Sequence, residues 1–250
     1  MRTCLFCDST DITQEHIWSD WICEMFPKGK REYKVLRRNR SHGGMEEWFQ
    51  NTLDRTSGCV CEDCNGGWMS VIEQETKPIL RPLILGQPVK LTAGNRRRLA
   101  VWTCLRSYVF ETANHKTHRP YSTQAERLYF KQNHKNRLPK NMIVWLAFLP
   151  RELSGSAYYR LDTSLNSEEL ELRGLQALSG LIGRVGFQLY RWKSMDVTIN
   201  GRKADRRSLI RGHKSLITEI WPGKSSGPPP SALTLEQAFA FCDRLRLPRA

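Results

Sequence analysis

Long apolar runs are missing from this chain. The longest, residues 142–149, has eight residues, less than half of what a helix needs to cross a bilayer. No apolar stretch follows the first charged residue, so no signal peptide is visible and a cytoplasmic protein is expected. Acidic residues are scarce: 25 Asp and Glu face 39 Lys and Arg over 250 residues, a formal net charge of +14. There is no internal repeat. These absences argue against a membrane-spanning or secreted protein. An apolar content of 40% with 26% charged residues argues against a disordered one. A charge surplus of this size points to a polyanionic partner.

What is present is unevenly placed. Residues 1–93 hold 12 Lys/Arg and 13 Asp/Glu, whereas residues 94–250 hold 27 and 12, so the basic excess lies wholly in the second part. Six of the eight cysteines (Cys4, Cys7, Cys23, Cys59, Cys61 and Cys64) fall in the first 64 residues, while Cys104 and Cys242 stand alone. Two regions with different roles are expected within an α+β fold. The first is a small module over residues 1–80 and the second a basic α+β domain over 94–222. A Pro/Ser/Gly linker at 223–233 and a helix over 234–247 follow.

The pattern predicts the elements. Trp18, Trp21, Ile22, Met25 and Phe26 recur at helical spacing. Residues 32–38 and 47–55 read as strands joined by Ser41-His42-Gly43-Gly44, with His42 facing solvent. Trp68, Met69 and Ile72 mark an amphipathic helix that should stop near Lys77-Pro78, because proline disfavours helical geometry in the residue before it. Residues 79–93, with Pro82 and Pro88, read as the boundary. Residues 95–113 and 122–131 read as helices, the first with Leu99, Trp102, Leu105, Val109 and Phe110 on its inner side. Strands are expected at 142–149, 158–162, 187–192, 196–199 and 216–221. Residues 175–186 fit a helix or a loop. Thr234 and Gln237 form a capping box that opens a last helix. Trp18, Trp21 and Trp68 should pack the first region, and Trp102 and Trp145 the second.

Cys4-x-x-Cys7 and Cys61-x-x-Cys64 are matching half-sites. Each two-residue gap lets both thiolates face one ion, and four thiolates make a closed tetrahedral zinc site. In a reducing compartment, paired cysteines suggest metal before disulfide. Cys59 reads as a packed thiol, and Cys23, Cys104 and Cys242 as core residues.

Beside these half-sites stand Glu15-His16-Ile17 and Asn65-Gly66-Gly67-Trp68-Met69. Over about residues 1–77 the combination resembles the HNH, or ββα-metal, nucleases, and among them the zinc-stapled branch typified by phage junction resolvases. The resemblance implies a ββα-metal module, with the acidic-His dipeptide on the first hairpin strand and Cys-x-x-Cys-Asn opening the helix. It implies His16 as general base, and Glu15 and Asn65 as ligands of one catalytic divalent metal, magnesium or another hard ion. Cys4, Cys7, Cys61 and Cys64 would hold a structural zinc. The residue types suit that chemistry, since a neutral imidazole can take a proton from water near pH 7, and side-chain oxygens suit magnesium better than zinc. Three features depart from the family pattern. Glu15 stands where Asp is commoner, Asn65 replaces a His, and 45 positions separate His16 from Cys61, which implies an insertion in the hairpin. The middle signature Asn has no clear match, Asn51 being the nearest.

Two tracts concentrate the basic charge. Residues 116–140 carry seven Lys/Arg against one acid, and residues 184–214 carry nine against two. Such faces track phosphate backbones, and Lys131, Lys135, Arg137, Arg202, Lys203, Arg206 and Arg207 are the expected nucleic-acid contacts. Tyr121, Tyr129, Phe130, Tyr190 and Trp192 read as core aromatics rather than base-stacking platforms. His115, His118 and His134 read as surface residues. The expectation is a metal-dependent endonuclease acting on DNA, and the resemblance implies a 5′-phosphate and a 3′-hydroxyl as the product ends. The alternative is a non-catalytic, zinc-containing nucleic-acid-binding protein with a degenerate HNH site. Nothing in the sequence excludes RNA as the partner. A role in phage defence or a mobile element is analogy alone.

Overall fold

The computed structural model describes residues 3–26, 33–38, 45–50, 53, 56–113, 121–154, 157–167, 170–192, 198–199, 202–203, 217–223 and 231–242. His42, Asn51, His115, His118, Arg206, Arg207 and residues 224–230 lie outside these. The fold is α+β. Strand β1 (Thr13–His16) pairs antiparallel with β4 (Thr56–Val60), which sets Glu15 opposite Ser57 and His16 opposite Thr56. Between them come the short helix α1 (Asp20–Cys23) and an antiparallel pair, β2 (Tyr33–Arg38) and β3 (Met45–Gln50). That pair is the insertion implied by the long spacing between His16 and Cys61.

After Cys61 the chain enters a π-helical stretch, Asp63–Met69, that continues as α2 (Ser70–Ile84). The helix was expected to stop at Pro78, and it does not: Pro78 and Pro82 both lie inside it. Each interior proline costs about 3 kcal/mol through a lost hydrogen bond and a steric clash. Ile79, Leu80, Leu83 and Ile84 are buried beyond Pro78, and full burial returns roughly 1.5–3 kcal/mol apiece. Burial therefore carries the helix through. It ends in a Schellman motif, in which Gly86 (φ 73°) donates to the Leu83 carbonyl at 3.0 Å and Gln87 to that of Pro82 at 2.8 Å.

Helix α3 (Ala93–Ala113) follows, then α4 (Gln124–Asn133), whose Thr123 and Glu126 form a reciprocal capping box. Five antiparallel strands form the main sheet. They are β5 (Met142–Phe148), β6 (Ala157–Ser167), β7 (Leu170–Ile182), β8 (Val185–Trp192) and, after the short pair β9 (Thr198–Ile199) and β10 (Arg202–Lys203), β11 (Ile217–Trp221). Their order is β11-β5-β8-β7-β6. Residues 175–186, undecided from sequence, form the end of β7, a turn and the start of β8. Residues 176–182 are buried on both faces of the strand, so they lack the polar alternation that identifies a half-exposed strand. Helix α5 (Leu235–Cys242) opens with the expected Thr234–Gln237 box and docks on the sheet, the Phe241 carbonyl accepting from Gln188 at 2.8 Å.

One contiguous apolar core joins the N-terminal elements to the sheet. Helix α3 is its axis, with residues 99–111 buried around the full circumference rather than on one side. Trp18 meets Phe110 and Phe187 edge-on at 5.1 and 5.9 Å, and Trp102 meets Phe187 at 5.5 Å. No helix among the described residues is long and apolar enough to cross a membrane.

The β7–β8 turn presses against the end of α2. At Gly183 (φ 55°) a Cβ would sit 2.5 Å from the Ile84 carbonyl oxygen, which already accepts from the Arg184 N–H at 2.9 Å. Gly183→Ala is therefore expected to cost more than about 1 kcal/mol, with Tm falling by roughly 2–4 °C per kcal/mol. Thermal denaturation of the variant checks this, and an unchanged Tm would refute the close approach.

Candidate functional site

The four paired cysteines converge. The Sγ atoms of Cys4, Cys7, Cys61 and Cys64 all lie within 4.8 Å of one another, with Cys7 at 3.5 Å from Cys61 and 3.9 Å from Cys64. A tetrahedral zinc with bonds of about 2.3 Å would separate its sulfurs by about 3.8 Å, so the set could hold a zinc ion. Local backbone bonds build the site: Leu5 donates to the Cys59 carbonyl at 2.8 Å, binding the first half-site to the end of β4. The N–H groups of Phe6 and Cys61 point at the Cys4 sulfur, 3.5 and 3.3 Å away. Burial pushes the Cys4 thiol up to about 12. Burial also opposes ionisation of Cys61, but donation from the Cys64 N–H and the neighbouring thiols outweighs it and holds Cys61 at about 7. Among the described residues no other group of three or more His, Cys, Asp or Glu side chains could hold a metal ion. Cys59 and Cys104 are buried outside the cluster, as expected.

Beside the cluster lies a cleft of about 520 Å³. Glu15 and His16 enter it from β1, Asp20 from α1, Glu62 and Asn65 from the approach to α2, and Glu73 from α2 itself. The three candidate residues from the sequence, Glu15, His16 and Asn65, thus line one cavity. The wide π turn carries Asn65 toward β1, where its Nδ2 reaches the Gln14 carbonyl at 3.4 Å. His16 Nε2 stands 3.6 Å from Asp20 Oδ1.

Glu15 is not open to solvent. It is 7% exposed, and its Oε1 accepts from Arg106 Nη1 at 2.8 Å. The other arm of the guanidinium, Nη2, meets Glu73 Oε1 at 2.8 Å. Trp102 also donates to Glu73 Oε1, at 3.0 Å, and Trp21 to Oε2, at 2.8 Å. Burial works against the charge on Arg106, but Glu73 and then Glu15 outweigh it and raise its pKa. Sequence reasoning missed Arg106, Glu73 and Asp20. One signal was there: Arg106 is the lone charge in the apolar stretch 99–110, where an unpaired guanidinium would be prohibitively costly.

The expected nucleic-acid contacts fare differently. Lys135 and Arg137 are exposed. Arg202 and Lys203 form β10, and Arg206 and Arg207 lie outside the described residues. Lys131 turns inward, its Nζ 3.3 Å from the Cys64 sulfur. Burial opposes its charge and the sulfur more than compensates, so its pKa is raised. Arg191, within the second basic tract, is fully buried against Glu111 and stacks over Tyr108 at 4.3 Å. Of the interleaved aromatics, Tyr121, Phe130, Tyr190 and Trp192 are core residues as expected, while Tyr129 is 43% exposed. His134, expected at the surface, is instead buried. Its ring lies 5.2 Å from Trp68 and 5.9 Å from Phe130, and its Nδ1 is 2.8 Å from the Lys131 carbonyl. The last turn of α4 folds it under the helix, a tertiary contact that sequence spacing does not encode.

Comparisons with family models, with curated proteins and with solved structures return no match. Function must be read from the site itself.

A structural metal supplies much of a small region's folding free energy, apparent values for zinc running to about 10–16 kcal/mol. Metal analysis of the purified chain is expected to give one zinc, and Cys61→Ser to lose it together with the near-neutral thiol and to melt at lower temperature. Retention of a full zinc equivalent by Cys61→Ser would break the four-cysteine assignment.

Proposed function

We propose that the chain is a metal-dependent endonuclease of HNH type, with DNA as substrate and a structural zinc on Cys4, Cys7, Cys61 and Cys64. One observation carries the reading. Glu15-His16 at a strand end and Asn65 at the start of a helix, 49 positions apart in sequence, line one cleft beside the cysteine cluster. That is where the resemblance would put a general base and two oxygen ligands. Magnesium, which commonly keeps several waters and takes only one or two protein carboxylates, would find its oxygens at Glu15 and Asn65. Bound there, a divalent ion supplies charge neutralisation at the leaving oxygen. His16 takes the proton of the attacking water, the water oxygen bonds to phosphorus, and the bond to the 3′ oxygen breaks. The products are a 5′-phosphate and, after protonation, a 3′-hydroxyl.

The second reading, a nucleic-acid-binding protein with a degenerate site, also has an observation behind it. Arg106 occupies one oxygen of Glu15, and the described carboxylates form no ready three-ligand cluster. Supercoiled plasmid with and without magnesium separates the two.

His16→Ala is expected to reduce nicking by about two to four decades, the usual worth of a general base, with zinc content and DNA affinity near wild type. Loss of zinc or of folding in that variant would make His16 structural. For the grip on nucleic acid, Lys135→Glu with Arg137→Glu is expected to weaken binding to all sequences alike and to flatten the salt dependence by about two units of slope. An unchanged slope would place the phosphate contacts elsewhere.

A further inference from the structure

Arg106 belongs to α3, the helix that carries the sheet, yet its guanidinium ends against the candidate dyad. Nη1 donates both to Glu15 Oε1 at 2.8 Å and to the His16 carbonyl at 2.9 Å. Nη2 meets Glu73 at 2.8 Å, and the Trp21 and Trp102 indoles hold that carboxylate in turn. The Arg106 side chain is 1% exposed, so water does not screen these contacts as it would at the surface. His16 is the last residue of β1, where the ladder to β4 stops. At that strand end α3 supplies a bond to its carbonyl.

We infer that Arg106 is a positioning residue of the cleft: it fixes the Glu15 carboxylate and the His16 main chain at the end of β1, so that the imidazole is presented to the cavity. The geometry requires arginine. A planar fork reaches acceptors on two nitrogens at once, whereas a lysine can neutralise Glu15 and Glu73 from a single nitrogen but does not reproduce the fixed two-nitrogen geometry that holds both acids and the carbonyl. If Arg106 served only to neutralise one buried and one half-buried acid, lysine would replace it. If it positions the dyad, lysine fails, because a displacement of about 1 Å at reacting groups can cost on the order of a hundredfold in rate.

The consequence for rate rests on the nuclease reading, while the consequence for the His16 ring does not. The test is Arg106→Lys in the full chain, with zinc content and Tm measured first. Positioning predicts that kcat for plasmid nicking falls roughly ten- to a hundredfold while KM for DNA holds. The His16 ring signal in a carbon–proton correlation spectrum, assigned by its loss in His16→Ala, should shift or broaden while that of His134 stays. A folded Arg106→Lys with wild-type kcat and an unmoved His16 signal would overturn the inference. If the wild type does not nick DNA, the nuclease reading falls and the ring signal alone decides. Should Arg106→Lys fail to fold, Arg106→Gln with Glu73→Gln removes one acid together with the cation and leaves an amide donor for Glu15, so that no carboxylate is left without a partner. The same loss of kcat and shift of the His16 signal are expected there, and their absence would equally overturn the inference.

Discussion

Four sulfur atoms set where a cleft can form in this molecule. Cys4 and Cys7 meet Cys61 and Cys64 across more than fifty positions of chain. Closing a loop of that length costs entropy that no local element repays. A zinc ion, which the four sulfurs could hold, would compensate, since it rewards only the geometry in which both half-sites face inward. Once they do, little is left free. Leu5 is pinned to the end of β4, β4 carries β1 as its partner, and Cys61 and Cys64 fix where the wide turn before α2 begins. Glu15, His16 and Asn65 are then neighbours because their backbones have nowhere else to go. The β2–β3 pair can be inserted without disturbing them, because β1 and β4 are joined by their own ladder.

Charge is the second constraint, and its formal count misleads. The excess of Lys and Arg in residues 94–250 reads as an external field, but part of it is internal. Arg96, Arg106 and Arg191 are all buried, Arg127 donates at 2.7 Å to the Leu5 carbonyl, and Lys131 faces the Cys64 sulfur. Two of these cations, Arg127 and Lys131, bind α4 to the N-terminal half-sites, and Arg106 binds α3 to β1. Several positive charges in the second part therefore hold the first part in place. A buried ion pair adds little net stability, but removing one partner typically costs about 3–5 kcal/mol. Such contacts select one arrangement over its neighbours more than they raise the total. That fits a core that is continuous across both parts of the chain.

How much of this was legible follows from the range of each determinant. The cysteine spacings, the Thr123 and Thr234 caps, the β2–β3 pair and the strands β5, β8 and β11 depend on residues a few positions apart, and sequence reveals them. The path of α2 through Pro78 and Pro82 depends on burial that includes Ile84 against the β7–β8 turn, a contact about a hundred positions away. β7 was illegible because burial on both faces erased its period. For the cleft, the candidate dyad and Asn65 were readable as a motif. Their electrostatic frame was not, since Glu73 and Arg106 gain meaning only when α2 and α3 pack together. His134 belongs with them: a polar residue under a helix looks like a surface residue until Trp68 covers it.

The frame also bears on how the proposed chemistry could run. Glu15, Asp20, Glu62 and Glu73 line the cleft against Lys77 and Arg106, so with His16 neutral its formal charge is −2. A phosphodiester brought to that cavity alone meets repulsion. At an effective dielectric of about 20, two like charges 4 Å apart repel by about 4 kcal/mol, which would offset much of what exposed cations elsewhere on the chain contribute. A divalent cation held there would cancel that charge, and the cavity would then be formally neutral toward the phosphate. On the nuclease reading the ion must therefore bind no later than the scissile phosphate. On the binding-protein reading the same cavity keeps nucleic acid out, and the phosphates must pass over other faces, such as the one bearing Lys135 and Arg137.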